Sequence, residues 1–424
     1  MRDSSAPNGH VGYLDGIRGL AALYVLLEHV QLCGLEMINA RHVNPANATS
    51  LQSVALFLNS TVLGYGHLAV DIFIVLSGYC LMLPVTTAPG GTLRGGFIGY
   101  IKRRALRILP PYYAALGLAV LIGALVLGRG MPDGAQFISH VLLVHNFSPR
   151  WLFGINAPMW SIAIEWQIYF VFAAILLPAW RWGGVKCSVL VALLLGLAPL
   201  YLLPVGRNYE WSCPWYITLF ALGMAAASIK WGGVRRWRAA SLGFAVVTIV
   251  VFAFQQLPWA RRHWSLLFRM ESRGASWPLD VMVGVTFACA LVSLARTDRC
   301  HKDWINRYTL RVLQSGPVSR LGAFSYSLYL IHLPIVAIVG WVLFALKLSP
   351  TMTYIALYVF GIPAGLVGGY LLFIAVERHC MSRIPGKPTA LGSRSPLASP
   401  GGDTPAAPAS DAAGIAARIP ELAG

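Results

Sequence analysis

The chain has 424 residues, 57% of them hydrophobic and 12% charged, about half the charged share of an ordinary soluble domain. That composition excludes a soluble globular enzyme. The formal net charge of +17 does not indicate a nucleic-acid binder, because the basic residues fall in short stretches between apolar runs, where the positive-inside rule places them.

In chain order, apolar runs of about the length that crosses a bilayer as a helix occur at 12–33, 67–84, 110–128, 160–179, 186–203, 213–229, 239–257, 279–295, 322–346 and 352–376. They predict an all-α fold, a polytopic membrane helix bundle of about ten transmembrane helices over residues 1–381. The stretches 51–63 and 136–147 are apolar but short, and read as half-buried or re-entrant segments. From Ser382 onward Pro, Ala, Gly and Ser dominate, so 382–424 are expected to form a disordered cytoplasmic tail. The distribution of Lys and Arg puts both termini on the cytoplasmic side of the cell membrane. The loop 258–278 runs against this, being assigned outward while carrying Arg261, Arg262, Arg269 and Arg273. Seven cysteines show neither a C-x-x-C nor a zinc-type spacing, so no metal site is indicated.

An ionisable group inside a span costs about 2.5–3.5 kcal/mol on insertion scales and marks function by default. In the first run Arg18 and His29 are eleven residues apart, three turns plus about 20°, so they share a stripe and lie about 16 Å apart along the axis. An arginine near the inner end can hold an anion, and a deeper histidine can take the proton from an attacking hydroxyl. The plainer alternative is a snorkelling arginine and a histidine bonded to a neighbouring helix. Glu28, 100° round from His29, is the rival for any acid/base role.

In the second run His67 and Asp71 share a face, either as an imidazole oriented by a carboxylate or as an interfacial cap. Ser77 and Gly78 suit close helix contact better than nucleophilic catalysis, since no G-x-S-x-G elbow surrounds them. The patch that follows holds Arg103, Arg104 and Arg107. Singly these mark topology and touch anionic lipid; as a set they can grip the phosphates of a nucleotide-bearing donor. Pro110 and Pro111 then open the third span. No Walker or dinucleotide fingerprint is present. In the fourth span Ser161 is placed to cap the helix, while Glu165 points inward as acid, base or histidine partner, or as a polar helix contact. In the ninth, Ser325, Tyr329 and His332 form a stripe, and Tyr326 and Tyr329 suit an interfacial aromatic belt equally well.

Taken together, these stretches resemble the acyltransferase 3 family of integral-membrane O-acyltransferases. Leu14-Asp15-Gly16-Ile17-Arg18-Gly19-Leu20-Ala21-Ala22 with His29 is similar to its Arg-x10-His opening, and Val70-Asp71-Ile72-Phe73-Ile74-Val75-Leu76-Ser77-Gly78-Tyr79 to its second-span motif. Arg103-Arg104-x-x-Arg107-Ile108-x-Pro110, Trp160-Ser161-x-x-x-Glu165-x-x-x-Tyr169, Ser325-Tyr326-x-Leu328-Tyr329-x-x-His332 and Glu377-Arg378 follow in the family's order. Glu28 stands where the family more often has an apolar or aromatic residue, and Tyr79 replaces the commoner Phe.

The resemblance implies a ten-helix enzyme that moves an acyl group, usually acetyl from acetyl-CoA on the cytoplasmic side, to a hydroxyl of a sugar, lipid-linked glycan or secreted metabolite. Acyl-CoA is then a donor substrate, with no bound cofactor. Arg18 and His29 take the place of the family's essential pair, with Glu165 and Asp71 beside them as catalytic candidates. Arg103, Arg104 and Arg107 take the donor-binding positions, and Ser77, Tyr326 and His332 join the substrate-binding set. The expected partners are the bilayer, acyl-CoA and a carbohydrate or lipid-linked acceptor. The rival from another class is a multi-span transporter of an anionic solute using the same buried Arg, His and Asp groups. The enzymatic reading requires the histidine and the arginines to meet in one chamber open to the cytosol.

Overall fold

The computed structural model describes residues 12–40, 50–202, 212–257, 259, 277–300 and 303–382. The expected tail, both termini and most of the loop 258–278 lie outside them. Among the described residues there is no strand, and eight helices are long and apolar enough to cross a membrane.

The helices that matter here are α1 (Gly12–Ala40), α2 (Ser50–Leu58), α3 (Gly66–Thr87), α4 (Gly96–Leu125), α5 (Gly134–Val141), α6 (Met159–Val171), α7 (Leu177–Leu202) and α8 (Tyr216–Ser228). They are followed by α9 (Val234–Gln256), α10 (Trp277–Cys300), α11 (Trp304–Leu313), α12 (Gly316–Ala323), α13 (Ser325–Ala345), α14 (Pro350–Ala356) and α15 (Ile362–Leu372). Each of the ten apolar runs coincides with a helical segment. The run Met159–Leu202 is broken at Gly184 (φ 67°, ψ −158°), between two of the predicted spans. Tyr216–Ser228 is apolar but only 13 residues long.

The two short stretches are both helical. Helix α2 lies beside α1, where buried Gln31 donates to the Ala55 carbonyl at 2.6 Å. Helix α5 starts at Asp133, whose carboxylate accepts from Gln136 N at 2.7 Å, as an N-cap should.

One boundary differs. The third span begins at Gly96, and Pro110 and Pro111 lie inside α4. A proline in a membrane helix removes a donor and frees a carbonyl, which neighbouring helices can re-satisfy. Pro110 and Pro111 free the carbonyls of Leu106 and Arg107, and the Tyr326 hydroxyl reaches across from α13 to the neighbouring Ile108 carbonyl at 3.0 Å. The basic patch is therefore helical, and its arginines have faces. Tyr100, Arg104 and Arg107 share one side at i, i+4, i+7, whereas Arg103 turns to the surface and donates to the Arg94 carbonyl at 2.5 Å.

Helix α3 packs against α8, and α1 against α12 and α13. Without a hydrophobic drive between helices in lipid, such contacts depend on small residues that let backbones approach. A Cβ on Gly78 would collide with the Phe220 carbonyl, and one on Gly223 with the Val75 carbonyl. The paired glycines seat α3 on α8, as the Ser77-Gly78 dipeptide suggests. By contrast, α9 exposes Leu242, Val246, Ile249 and Val250, the side it offers to lipid.

Gly78→Ala is expected to force α3 and α8 apart and to destabilise the protein by about 1–3 kcal/mol, read as a lower melting temperature of the detergent-solubilised protein. Gly243→Ala on α9, where a Cβ meets nothing within 4 Å, leaves it unchanged.

Candidate active site

Polar side chains of α1, α3, α6 and α13 form two groups along the helix axes. The outer one faces a cavity of about 700 Å³ lined by Glu28, His29, His67, Asn156, Trp160 and Asp280, among others. His29 Nδ1 donates to the Val25 carbonyl one turn back at 2.9 Å. A carbonyl only accepts, so in the neutral imidazole the proton sits on Nδ1 and Nε2 keeps its lone pair. The His29 ring meets His332 edge to face, with 4.9 Å between centroids. His332 Nδ1 makes the same backward bond, to Leu328 O at 3.0 Å.

Glu28 lines the same cavity, and its Oε1 accepts from Gly66 N at 2.9 Å. A carboxylate at a helix N-terminus is stabilised by the exposed amides and the dipole. Gly66 is required there, because a Cβ would occupy the place of the carboxylate. The rival to His29 is thus engaged in holding the first turn of α3.

His67 and Asp71 do not pair. His67 Nε2 lies 3.8 Å from Asp280 Oδ1, and Asp280 Oδ2 accepts from Trp215 Nε1 at 2.7 Å. Asp71 is wholly buried and faces the Tyr216 hydroxyl and Asp280. Asp71 also lies beyond the first turn of α3, which holds no acidic residue. Nothing in the local sequence marks Asp280 or Trp215, since they reach His67 only through the packing of α8 and α10 against α3.

The inner group is built around Arg18, which donates to Asp15 Oδ1 and to Cys80 Sγ, both at 3.1 Å. The Tyr169 hydroxyl donates to Glu165 Oε1 at 2.5 Å. Its one proton is thereby committed, so at 3.2 Å Ser77 donates to Tyr169. Arg18 and Tyr169 lie within electrostatic reach of Glu165, and Arg104 and Arg107 within reach of Tyr169. Buried Glu377 accepts from the Ser327 hydroxyl at 2.5 Å and from Ser327 N at 3.2 Å.

Glu165 is therefore a partner of Tyr169 and Arg18, not of His29. Ser161 is no cap: α6 starts at Pro158 without a side-chain cap, and Ser161 Oγ lies 2.7 Å from the Tyr329 hydroxyl. Of the three arginines of the basic patch, Arg104 and Arg107 join this group and Arg103 stays outside. The cavity that holds His29 is not lined by Arg18, Arg103, Arg104 or Arg107. His29 lines this cavity and the arginines do not; Arg104 and Arg107 belong to the polar cluster around Arg18, with Phe73, Ser161 and Tyr329 in register between the two groups.

The outer wall descends from a buried histidine pair outside the spans. His140 and His145 stack at 4.0 Å with 5° between their planes, just before the segment that lines the cavity through Leu152, Phe153 and Asn156. Burial pushes the His140 imidazole down, and burial together with the neighbouring His140 pushes His145 down to about 3.

Residues 11–374 match the family described as an acyltransferase domain, and the chain belongs to this acyltransferase 3 family. It is similar to acyltransferase MdmB of Streptomyces mycarofaciens, 25% identical over 418 residues, which cover 91% of this chain and 93% of that protein. It is also similar to peptidoglycan O-acetyltransferase OatA of Listeria monocytogenes, 23% identical over 318 residues, covering 67% of this chain and 47% of that protein. The matched region thus spans about half the length of OatA. No solved structure matches the chain with comparable significance.

Because the folded pKa of the stacked pair lies below that of the unfolded chain, about 6.5, unfolding binds protons as the pH falls. The stability this pair contributes is complete above about 6.5 and is lost as pH falls toward the folded value of about 3 for His145. Melting temperatures measured from pH 7.5 to 4.5 should fall progressively below about 6.5, and His145→Phe, which keeps a ring and removes the titration, should flatten the profile.

Proposed function

We propose that the chain is a membrane O-acyltransferase that moves an acyl group, acetyl in the simplest case, from acyl-CoA to a hydroxyl of a carbohydrate, glycolipid or secreted metabolite. The observation that carries this reading is His29 in the wall of the outer cavity, with Nδ1 fixed on Val25 and Nε2 left as the basic nitrogen. An acceptor hydroxyl in the cavity gives its proton to Nε2 as its oxygen attacks the thioester carbonyl. The tetrahedral intermediate then expels CoA, whose sulfur takes the proton back from His29. General-base assistance of this kind is worth about 10²–10⁴-fold.

The donor enters from the cytosolic side. Arg103 at the surface of α4, with Arg104 and Arg107 on the turns beside it, offers the fork geometry that suits phosphates. Arg18, fixed by Asp15 and Cys80, stands next on the route toward His29. A peptidoglycan O-acetyltransferase among the relatives supports a carbohydrate acceptor. The protein is read as multi-pass in the cell membrane, with both termini cytoplasmic and with acyl-CoA as a substrate rather than a resident group.

Protein in lipid nanodiscs, given radiolabelled acetyl-CoA and membranes of the native cell as acceptor, should transfer label. His29→Ala should lower that rate at least about a hundredfold with KM for acetyl-CoA unchanged, while Arg104→Ala and Arg107→Ala should raise that KM. A His29→Ala protein that inserts and transfers at the full rate overturns the assignment.

A further inference from the structure

The boundary between the two groups can be located by register along the helices. On α3, His67 and Val70 line the cavity, Phe73 comes next, and Ser77 and Cys80 belong to the inner group. On α6 the order is Trp160 in the cavity, then Ser161, then Glu165 and Tyr169. On α13, Leu333 lines the cavity, and Tyr326, bound to Ile108, lies inward of Tyr329. Phe73, Ser161 and Tyr329 therefore share one level, and they touch. Tyr329 and Phe73 meet edge to face at 5.7 Å, and Ser161 Oγ and the Tyr329 hydroxyl are 2.7 Å apart. Tyr329 also lines the cavity and stands within electrostatic reach of both Glu28 above and Glu165 below.

Either hydroxyl can donate in the Ser161–Tyr329 contact; in the arrangement where Ser161 gives its proton to the Pro158 carbonyl at 3.3 Å, Tyr329 donates and Ser161 Oγ accepts. At the one level that a thioester held by the inner arginines must reach to meet His29, the protein thus presents a buried, oriented O–H. Buried donors aimed at a developing oxyanion are the strongest single device in acyl transfer, because the surroundings need no reorganisation when charge appears.

Resting on the acyl-transfer reading above, we propose that Tyr329 is a further catalytic residue whose hydroxyl stabilises the oxyanion, with Ser161 as its positioning residue. As the acceptor oxygen bonds to the thioester carbon and its proton passes to His29, the carbonyl π electrons move onto oxygen. Tyr329 transfers its hydrogen bond from Ser161 Oγ to that oxygen. When the C–S bond breaks, the pair returns to re-form the ester carbonyl, CoA leaves with the proton from His29, and Tyr329 bonds to Ser161 again. The tyrosine stays protonated throughout.

The test uses the full chain in nanodiscs with radiolabelled acetyl-CoA and native membranes as acceptor. Tyr329→Phe should lower kcat about a hundredfold or more while KM for acetyl-CoA and the melting temperature stay those of the wild type. Ser161→Ala should lower kcat by a smaller factor, and Ser161→Thr, which keeps the hydroxyl, should restore it. Should Tyr329→Phe fail to insert, 3-fluorotyrosine at position 329 decides: a kcat that follows phenol acidity supports the role, and one that does not overturns it. A Tyr329→Phe enzyme within about threefold of wild-type kcat, a loss well short of one oxyanion donor, or one whose defect lies in KM alone, overturns the proposal and leaves the acyl-transfer reading standing. A wild-type protein that leaves acetyl-CoA intact overturns both.

Discussion

Inside a bilayer a polar side chain has no water to turn to, and this constraint fixes the register of the central helices. Arg18 finds Asp15 on its own helix and Cys80 on α3; Tyr169 finds Glu165 on its own helix and Ser77 on α3. Sliding α3 by one turn past α1 would break the Arg18–Cys80 contact and take Gly66 away from Glu28 at the other end. The groups proposed to do chemistry are thus also those that specify how the helices align. Polar contacts between helices of this kind specify one arrangement better than apolar packing does.

Glycines make that alignment possible. The carbonyls of Val75 and Phe220 lie so close to Gly223 and Gly78 that no side chain fits between α3 and α8. The same approach recurs where Gly16 meets the Leu313 carbonyl and Gly322 the Asp15 carbonyl, against α11 and α12. Close backbones leave side chains little room to reorient. The imidazole of His29 is held by Val25 beneath it and His332 beside it, so its ring is oriented by the protein alone.

Much of this was legible in the sequence, for two physical reasons. Hydropathy over about 20 residues is a local property set by bilayer thickness, so the eight helices long and apolar enough to span were visible, and helical periodicity placed Arg18 and His29 on one stripe. What stayed hidden depended on other helices. Whether Ser161 caps α6 or bonds Tyr329 is decided by where α13 lies, and Asp71 lost His67 to Asp280 because α10 brings a second carboxylate to that level. The prolines of α4 read locally as a helix start, yet Tyr326 supports a carbonyl beside them from across the bundle. Inter-helix hydrogen bonds leave no periodic trace in either partner's sequence.

The arrangement in two groups also bears on how a charged donor and an acceptor can share one membrane domain. CoA carries several negative charges on its phosphates, and moving these through the bundle would be prohibitive, whereas its thioester end is neutral. On the proposed acyl-CoA reading, guanidinium groups at one end of α1 and the histidine about 16 Å further along would let the charged part stay outside the bundle while only the uncharged arm enters. Keeping the arginines out of the cavity lining has a second effect. On the proposed reading, a guanidinium beside His29 would compete with the histidine for the incoming hydroxyl. Phe73, Ser161 and Tyr329 stand between the two groups, and on the proposed reading the acyl carbon is the atom that both must reach.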